Sequence, residues 1–248
     1  FALSIKKSWN SGFLPELCLF FTLQRQGRFW AQKIYLPPRA EQDILKIIKV
    51  RNLLKKGVGC AMYAHVVSLG VTGLDGYPVT VETHISGGLP KFAMVGLPDS
   101  AVKESSERVR SAIKNLNCPW PASHVTVNLA PADVRKTGSL YDLPVFIGIL
   151  AAQQYIPQPE PHQAFLGELG LDGTLRPIAG ALPMAFAAQK AGVTELFVPA
   201  ENAAEAAVAE QLTVYPARSA ADVIRHLAGQ AKLSPASRTG YDAAGQWL

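Results

Sequence analysis

The chain of 248 residues is long enough for one domain with a full hydrophobic core or two small ones. At 48% hydrophobic and 17% charged residues, its composition excludes the disordered class. The net charge of +5 does not mark the body as a nucleic-acid binder, because residues 1–61 hold 11 Lys/Arg against 3 Asp/Glu while residues 62–248 hold 13 against 16.

Along the chain, residues 1–61 come first, and they combine no strand alternation with matching turn chemistry. Lys6 and Lys7 precede an apolar patch, but Pro15 and Glu16 interrupt it and no cleavage-site pattern follows. Residues 39–56 have the spacing of a basic helix, suited to a membrane surface or a nucleic acid. The preferred reading is a poorly ordered or non-native leader, because a regular pattern starts abruptly at Met62.

Residues 64–71 and 77–85 alternate with period two around Gly73-Leu74-Asp75-Gly76, which predicts a hairpin. A short strand follows at 92–95. Asp99 is placed to cap a helix whose Val102, Val109, Ile113 and Leu116 share one face. A strand is expected at 124–129 and a buried helix at 141–153. Residues 164–167 and 170–175 read as a strand pair around Asp172-Gly173. A helix over 182–191 stops at Gly192, the residue type expected after a helix end. A strand at 195–198, a helix at 201–210 and a strand at 212–215 follow. Ser219 to Asp222 forms a capping box for a last helix that should bury Val223, Ile224 and Leu227. Ser, Pro, Gly and Ala then take over, so 230–248 reads as a linker or frayed tail. The expectation is one α/β (α+β) domain over 62–229.

Several chemistries are absent from the sequence. No G-x-x-x-x-G-K-[ST] phosphate cradle occurs; Lys136-Thr137-Gly138-Ser139 has those letters in the wrong order. Neither G-x-G-x-x-G after a strand nor a G-x-S-x-G elbow is present. Of Cys18, Cys60 and Cys118, only the last lies beyond residue 61, so the body has no disulfide framework and nothing argues for an oxidising compartment. His65, His84, His124, His162 and His226 are isolated, which argues against zinc and for surface or strand-edge positions. The apolar runs at 17–22 and 143–152 fall short of the roughly 20 residues of a membrane helix. A cytoplasmic protein with no membrane partner is expected.

Three blocks carry a resemblance. They are Val95-Gly-Leu-Pro-Asp-Ser-Ala-Val-Lys-Glu-Ser-Ser-Glu-Arg-Val-Arg-Ser-Ala-Ile113, Asn128-Leu-Ala-Pro-Ala-Asp-Val-Arg-Lys-Thr-Gly-Ser-Leu-Tyr-Asp-Leu-Pro144 and Gly167-Glu-Leu-Gly-Leu-Asp-Gly-Thr-Leu-Arg-Pro177. Gly180-Ala-Leu-Pro183 and Val198-Pro-Ala-Glu-Asn202 continue the third. Together they closely resemble the N-terminal domain of the YifB/ComM family of magnesium-chelatase-like AAA+ proteins. Ala179 departs from the pattern, standing where many members carry arginine.

The resemblance implies a ribosomal protein S5 domain 2-like fold, shared with the proteolytic domain of Lon. It implies a hexameric AAA+ ATPase as the next domain and partner, with ATP and magnesium as that domain's cofactors. None is expected in this chain, which reads as truncated. Members of the ComM type are similar to DNA branch-migration helicases, so DNA is an implied partner.

The Lon relation raises a sharper hypothesis, since a Ser/Lys dyad hydrolyses peptides when the lysine takes the serine proton. Aligned with Lon's motifs, Leu140 stands at the nucleophile position and Leu182 at the lysine position. Neither ionises, so no catalytic residue is expected, and the two leucines are expected to pack together. Ser139 is adjacent but points about 100° away along a helix start.

Arg135 and Lys136 are the candidate DNA- or partner-facing residues, in a loop read as exposed. Lys103, Arg110 and Lys114 interleave with Glu104 and Glu107, so ion pairing along the helix accounts for them. Asp142 is read as a structural group that satisfies free N–H groups at its helix start.

Overall fold

In the computed structural model, residues 62–237 are described in full, together with the backbone of 18–25 and 28–35. The chain divides into two units, Phe1–Cys60 and Ala61–Leu248.

The first unit contains an antiparallel hairpin, β1 (Cys18–Arg25) and β2 (Arg28–Tyr35), with Arg25 opposite Arg28. The sequence reading expected no strands there. Phe20, Phe21, Thr22, Phe29, Trp30 and Ile34 are strand formers, and the Gln26-Gly27 step between the strands suits a tight turn. The proposed helix over 39–56 lies outside the described residues.

The second unit is built on a seven-stranded mixed sheet in the order β11-β10-β7-β3-β4-β6-β5. β3 (Met62–Thr72) and β4 (Asp75–Ser86) form the expected hairpin, Thr72 facing Asp75. Their alternation works as the pattern predicts: Val79, Val81, Thr83 and Ile85 turn inward. β5 (Lys91–Val95) runs parallel to β6 (His124–Ala130), which pairs antiparallel with β4. On the other side, β7 (Gln163–Phe165), β10 (Glu195–Pro199) and β11 (Thr213–Ala217) add in parallel.

Helix α1 (Ser100–Asn115) starts at Asp99, whose Oδ1 accepts the Val102 N–H at 2.8 Å, and it buries Val102, Val109, Ala112 and Ile113. Helix α2 (Asp142–Ala152) is buried on every side, as expected of a helix apolar all round, and it packs on β3 and β4. Helix α3 (Ala181–Lys190) covers β4 and β3 and ends before Gly192, which takes φ 79°.

Four readings of this unit are corrected. Residues 164–167 do not pair with 170–175: β7 joins the main sheet, and the small hairpin is β8 (Glu168–Leu169) with β9 (Leu175–Arg176). The helix expected over 201–210 is a 3-10 turn, Ala200–Asn202, followed by the one-turn α4 (Ala203–Ala206). Ala203, Ala206 and Ala207 are buried at helical spacing, and Asn202 before them is bound in both directions to the backbone of Ile178.

The third concerns α5 (Ala220–Leu227), which has the expected capping box but buries Ala220, Val223 and His226. Ile224 and Leu227 are only partly buried. Residues 230–237, read as the beginning of a frayed tail, lie against the domain: Leu233 and Ala236 pack on its core.

Candidate functional site

The three sequence blocks meet where β5 and β6 end and α1 and α2 begin. Lys136 forms a parallel bridge to Pro98: its N–H donates to the Leu97 carbonyl at 3.1 Å, and its carbonyl accepts the Asp99 N–H at 3.0 Å. Asp99 Oδ2 also accepts the Gly138 N–H at 3.3 Å, so one carboxylate caps α1 and holds the second block. Gly96 is required here. Its φ is 94°, and a Cβ would stand 2.2 Å from the Leu129 carbonyl oxygen. Leu97 follows with φ 55°, an uncommon state for leucine, and its side chain is half exposed.

The third block enters through Gly167, which donates to the Leu140 carbonyl at 3.0 Å and accepts the Leu143 N–H at 3.0 Å. The Ser139 hydroxyl donates to Glu168, whose other oxygen meets Arg176 at 3.4 Å. A serine beside a carboxylate and an exposed arginine makes a polar surface network, without the lysine that a Lon-type nucleophile requires.

Below that surface, Asp142 is fully buried. Arg108 approaches it with two donors on one edge of the guanidinium, Nε to Oδ2 at 2.6 Å and Nη2 to Oδ1 at 3.1 Å. Oδ2 also accepts the Leu169 N–H at 3.1 Å. Burial pushes the Asp142 carboxyl up, and Arg108 is the strongest influence opposing it; the Asp142 contact in turn holds the Arg108 guanidinium above its ordinary range. Asp142 is thus structural as expected, but it serves β8 and α1 rather than its own helix. Arg108 escaped the sequence reading, although a lone carboxylate in an apolar helix calls for a buried cation.

The two candidate cations separate. Arg135 is exposed, and its carbonyl accepts the Tyr77 hydroxyl at 3.4 Å. Lys136, expected to be exposed, is fully buried. Its ammonium donates to the carbonyls of Pro131 and Val134, the latter at 2.7 Å, so the chain folds back over its own lysine. Burial pulls the Lys136 ammonium down from the usual lysine range, against the opposing charge of Asp133.

On α1 the pattern also differs from simple interleaving. Glu104 faces Arg108 at 3.9 Å, and Arg110 lies over the Trp120 ring, 5.7 Å from its centroid.

Leu140 and Leu182 occupy different surroundings. Leu140 belongs to the hydrophobic core at 7% exposure. Leu182 is partly exposed and lines an open groove of about 470 Å³ with Leu74, Asp75, Gly76, Pro183, Phe186, Ala187 and Lys190. The expected packing of the two leucines on each other is replaced by these separate environments. The turn between β3 and β4 can approach α3 because Gly76 has no side chain: a Cβ there would stand 2.4 Å from the Pro183 carbonyl oxygen.

Among the described residues, no group of three His, Cys, Asp or Glu side chains is arranged to hold a metal ion.

Residues 81–202 match the family described as subunit ChlI of Mg-chelatase. The competence protein ComM of Haemophilus influenzae is 42% identical over 182 residues, which cover 73% of this chain and 36% of that protein. The chain belongs to the YifB/ComM family.

The uncharacterized protein YifB of Escherichia coli is 48% identical over 121 residues, 48% of this chain and 24% of its own length. Similarity extends to the Lon protease of Brevibacillus choshinensis, at 26% identity over 173 residues, or 65% of this chain and 22% of the protease. The chain therefore spans about a third or less of the curated relatives it matches. Among the described residues, no helix of this YifB/ComM member is long and apolar enough to cross a membrane.

Proposed function

We propose that this YifB/ComM member is a non-catalytic module with a ribosomal protein S5 domain 2-like fold, working in the cytoplasm beside a hexameric AAA+ motor. On this reading it needs no metal or cofactor of its own, and ATP and magnesium belong to the motor. Its role is to assist ring assembly and the engagement of DNA. The observation that carries the non-catalytic part is the pair Leu140 and Leu182, one in the core and one in an open groove. Neither side chain can form an alkoxide or take a proton, so the reaction of a Lon-type dyad has no atoms to begin with. Ser139 is engaged by Glu168 instead.

The structure bears on how such a module would meet DNA. Of the two candidate cations only Arg135 is free to reach a phosphate, and residues 62–248 carry a net of −3. This favours a domain that meets protein over most of its surface, with DNA contact confined to the Arg135 loop. Fluorescence anisotropy with a labelled four-way DNA junction, titrated at several salt concentrations, tests this division. If the loop engages DNA, Arg135→Ala lowers the salt slope by about one. Unchanged binding and slope in that variant leave assembly as the role of the domain.

A further inference from the structure

The end of the described chain is fastened through a histidine. After α5, the chain turns at Gly229 (φ 69°), where the Arg225 carbonyl accepts the N–H groups of Gln230 at 2.9 Å and Ala231 at 3.2 Å. Leu233 N–H then donates to Nδ1 of His226 at 3.0 Å, and Ala236 N–H donates to the Val214 carbonyl of β11 at 2.8 Å. β11 is the last strand of the sheet. The imidazole is 3% exposed, edge-on to Phe197 at 5.0 Å and to Tyr215 at 4.6 Å between centroids. Nδ1 can accept only from a neutral ring, because in the imidazolium both nitrogens carry protons.

We propose that residues 232–237 form a proton-sensitive strap, closed over β11 while His226 is neutral and released when His226 is protonated. Protonation sets an N–H donor on Nδ1 against the N–H of Leu233, so the closed state loses its bond and gains a buried charge. In the open state the ring reaches water. The C-terminal end of α5 attracts an imidazolium whether the strap is open or closed, so it does not choose between the two states.

Two charged groups influence the ring: Lys232, which disfavours protonation, and Glu195 at the start of β10, which favours it. Burial is the largest influence and holds the imidazole below its ordinary value. Glu195 also accepts a hydrogen bond from Gln163 at 2.7 Å. Tyr215 contributes its ring face.

The sign follows directly. A histidine that binds its proton less readily in the closed state makes closure weaken as pH falls through the ordinary histidine range near 6.5. The bonds of Gln230 and Ala231 do not titrate, so release is confined to the segment beyond them.

Amide hydrogen exchange of the full chain, corrected for the intrinsic rate at each pH, tests the strap. Between pH 7.5 and 5.0, protection at Leu233 and Ala236 should fall about tenfold for each pKa unit by which closure depresses His226. Protection at Val81 and Val127 in the central sheet should hold. Leu233→Pro removes the donor, and the nitrogen-15 titration of His226 should then move up toward the ordinary value. Either of two results overturns the proposal: pH-independent protection at Leu233 and Ala236, or a His226 titration unchanged by Leu233→Pro. Loss of protection in step with Val81 would also overturn it, since that is global unfolding.

Discussion

Arg108 holds Asp142 by a two-pronged ion pair that joins α1 to the buried start of α2, with contacts of 2.6 and 3.1 Å. The carboxylate also fixes the Leu169 N–H, so one buried group ties all three sequence blocks together. Removing either partner strands the other in a place with little water. Arg108→Ala should destabilise by roughly 3–5 kcal/mol, the range for breaking a buried pair. The arginine is 20% exposed, which puts the effect toward the lower end. Urea denaturation, with the slope unchanged and the midpoint lowered, checks it. A loss of stability below about 1 kcal/mol would show that the pair behaves as a surface contact.

Gly96 supplies a second test, with a built-in control. Gly96→Ala places a methyl against the Leu129 carbonyl, 2.2 Å away, and forces alanine to φ 94°. The conformation alone costs about 1–2 kcal/mol, and the clash adds to it. Gly138 has φ 84°, but the methyl that alanine would add there meets no atom within 4 Å, so Gly138→Ala should carry the conformational part only. Thermal melts of the two variants should therefore differ, Gly96→Ala melting lower.

Lys136 reads from sequence as a surface cation and is an internal one. Lys136→Met keeps the length of the side chain but leaves the Pro131 and Val134 carbonyls without their donor. It should destabilise by about 1–3 kcal/mol while leaving junction binding unchanged. Arg135→Ala should do the reverse, with stability moving less than about 0.5 kcal/mol. Equal effects of the two variants on DNA binding would contradict the division of roles between them.

What is legible in the sequence depends on how local its cause is. The β3–β4 hairpin, the Asp99 cap, the α5 capping box and the Gly192 stop each follow from a few neighbouring residues, and they stand where the pattern places them. The misses involve distant partners. β7 pairs with β3 and β10, which no local pattern around residue 164 reveals. Lys136 is buried because the chain at 131–134 folds back over it, and His226 because Phe197 and Tyr215 surround it. At the candidate site, two leucines that cannot ionise are readable in the sequence, but the separate surroundings of Leu140 and Leu182 are not.

Leu140→Ser removes a core side chain and adds a hydroxyl, and should destabilise by about 2–5 kcal/mol. Leu182→Lys lies at the edge of an open groove, where the ammonium reaches water, and should stay within about 0.5 kcal/mol. Chemical denaturation of the two single variants separates them.

The central claim is that this YifB/ComM domain holds no hydrolytic centre of its own. Its most direct test is turnover of fluorescent casein by the purified chain, alongside labelling by a serine-directed covalent probe, with Ser139→Ala in parallel. The account predicts neither turnover nor labelling above the buffer control, and no difference between the chain and the variant. Turnover by the unmodified chain that disappears in Ser139→Ala would contradict it, and would make Ser139 with Glu168 a working nucleophile and base.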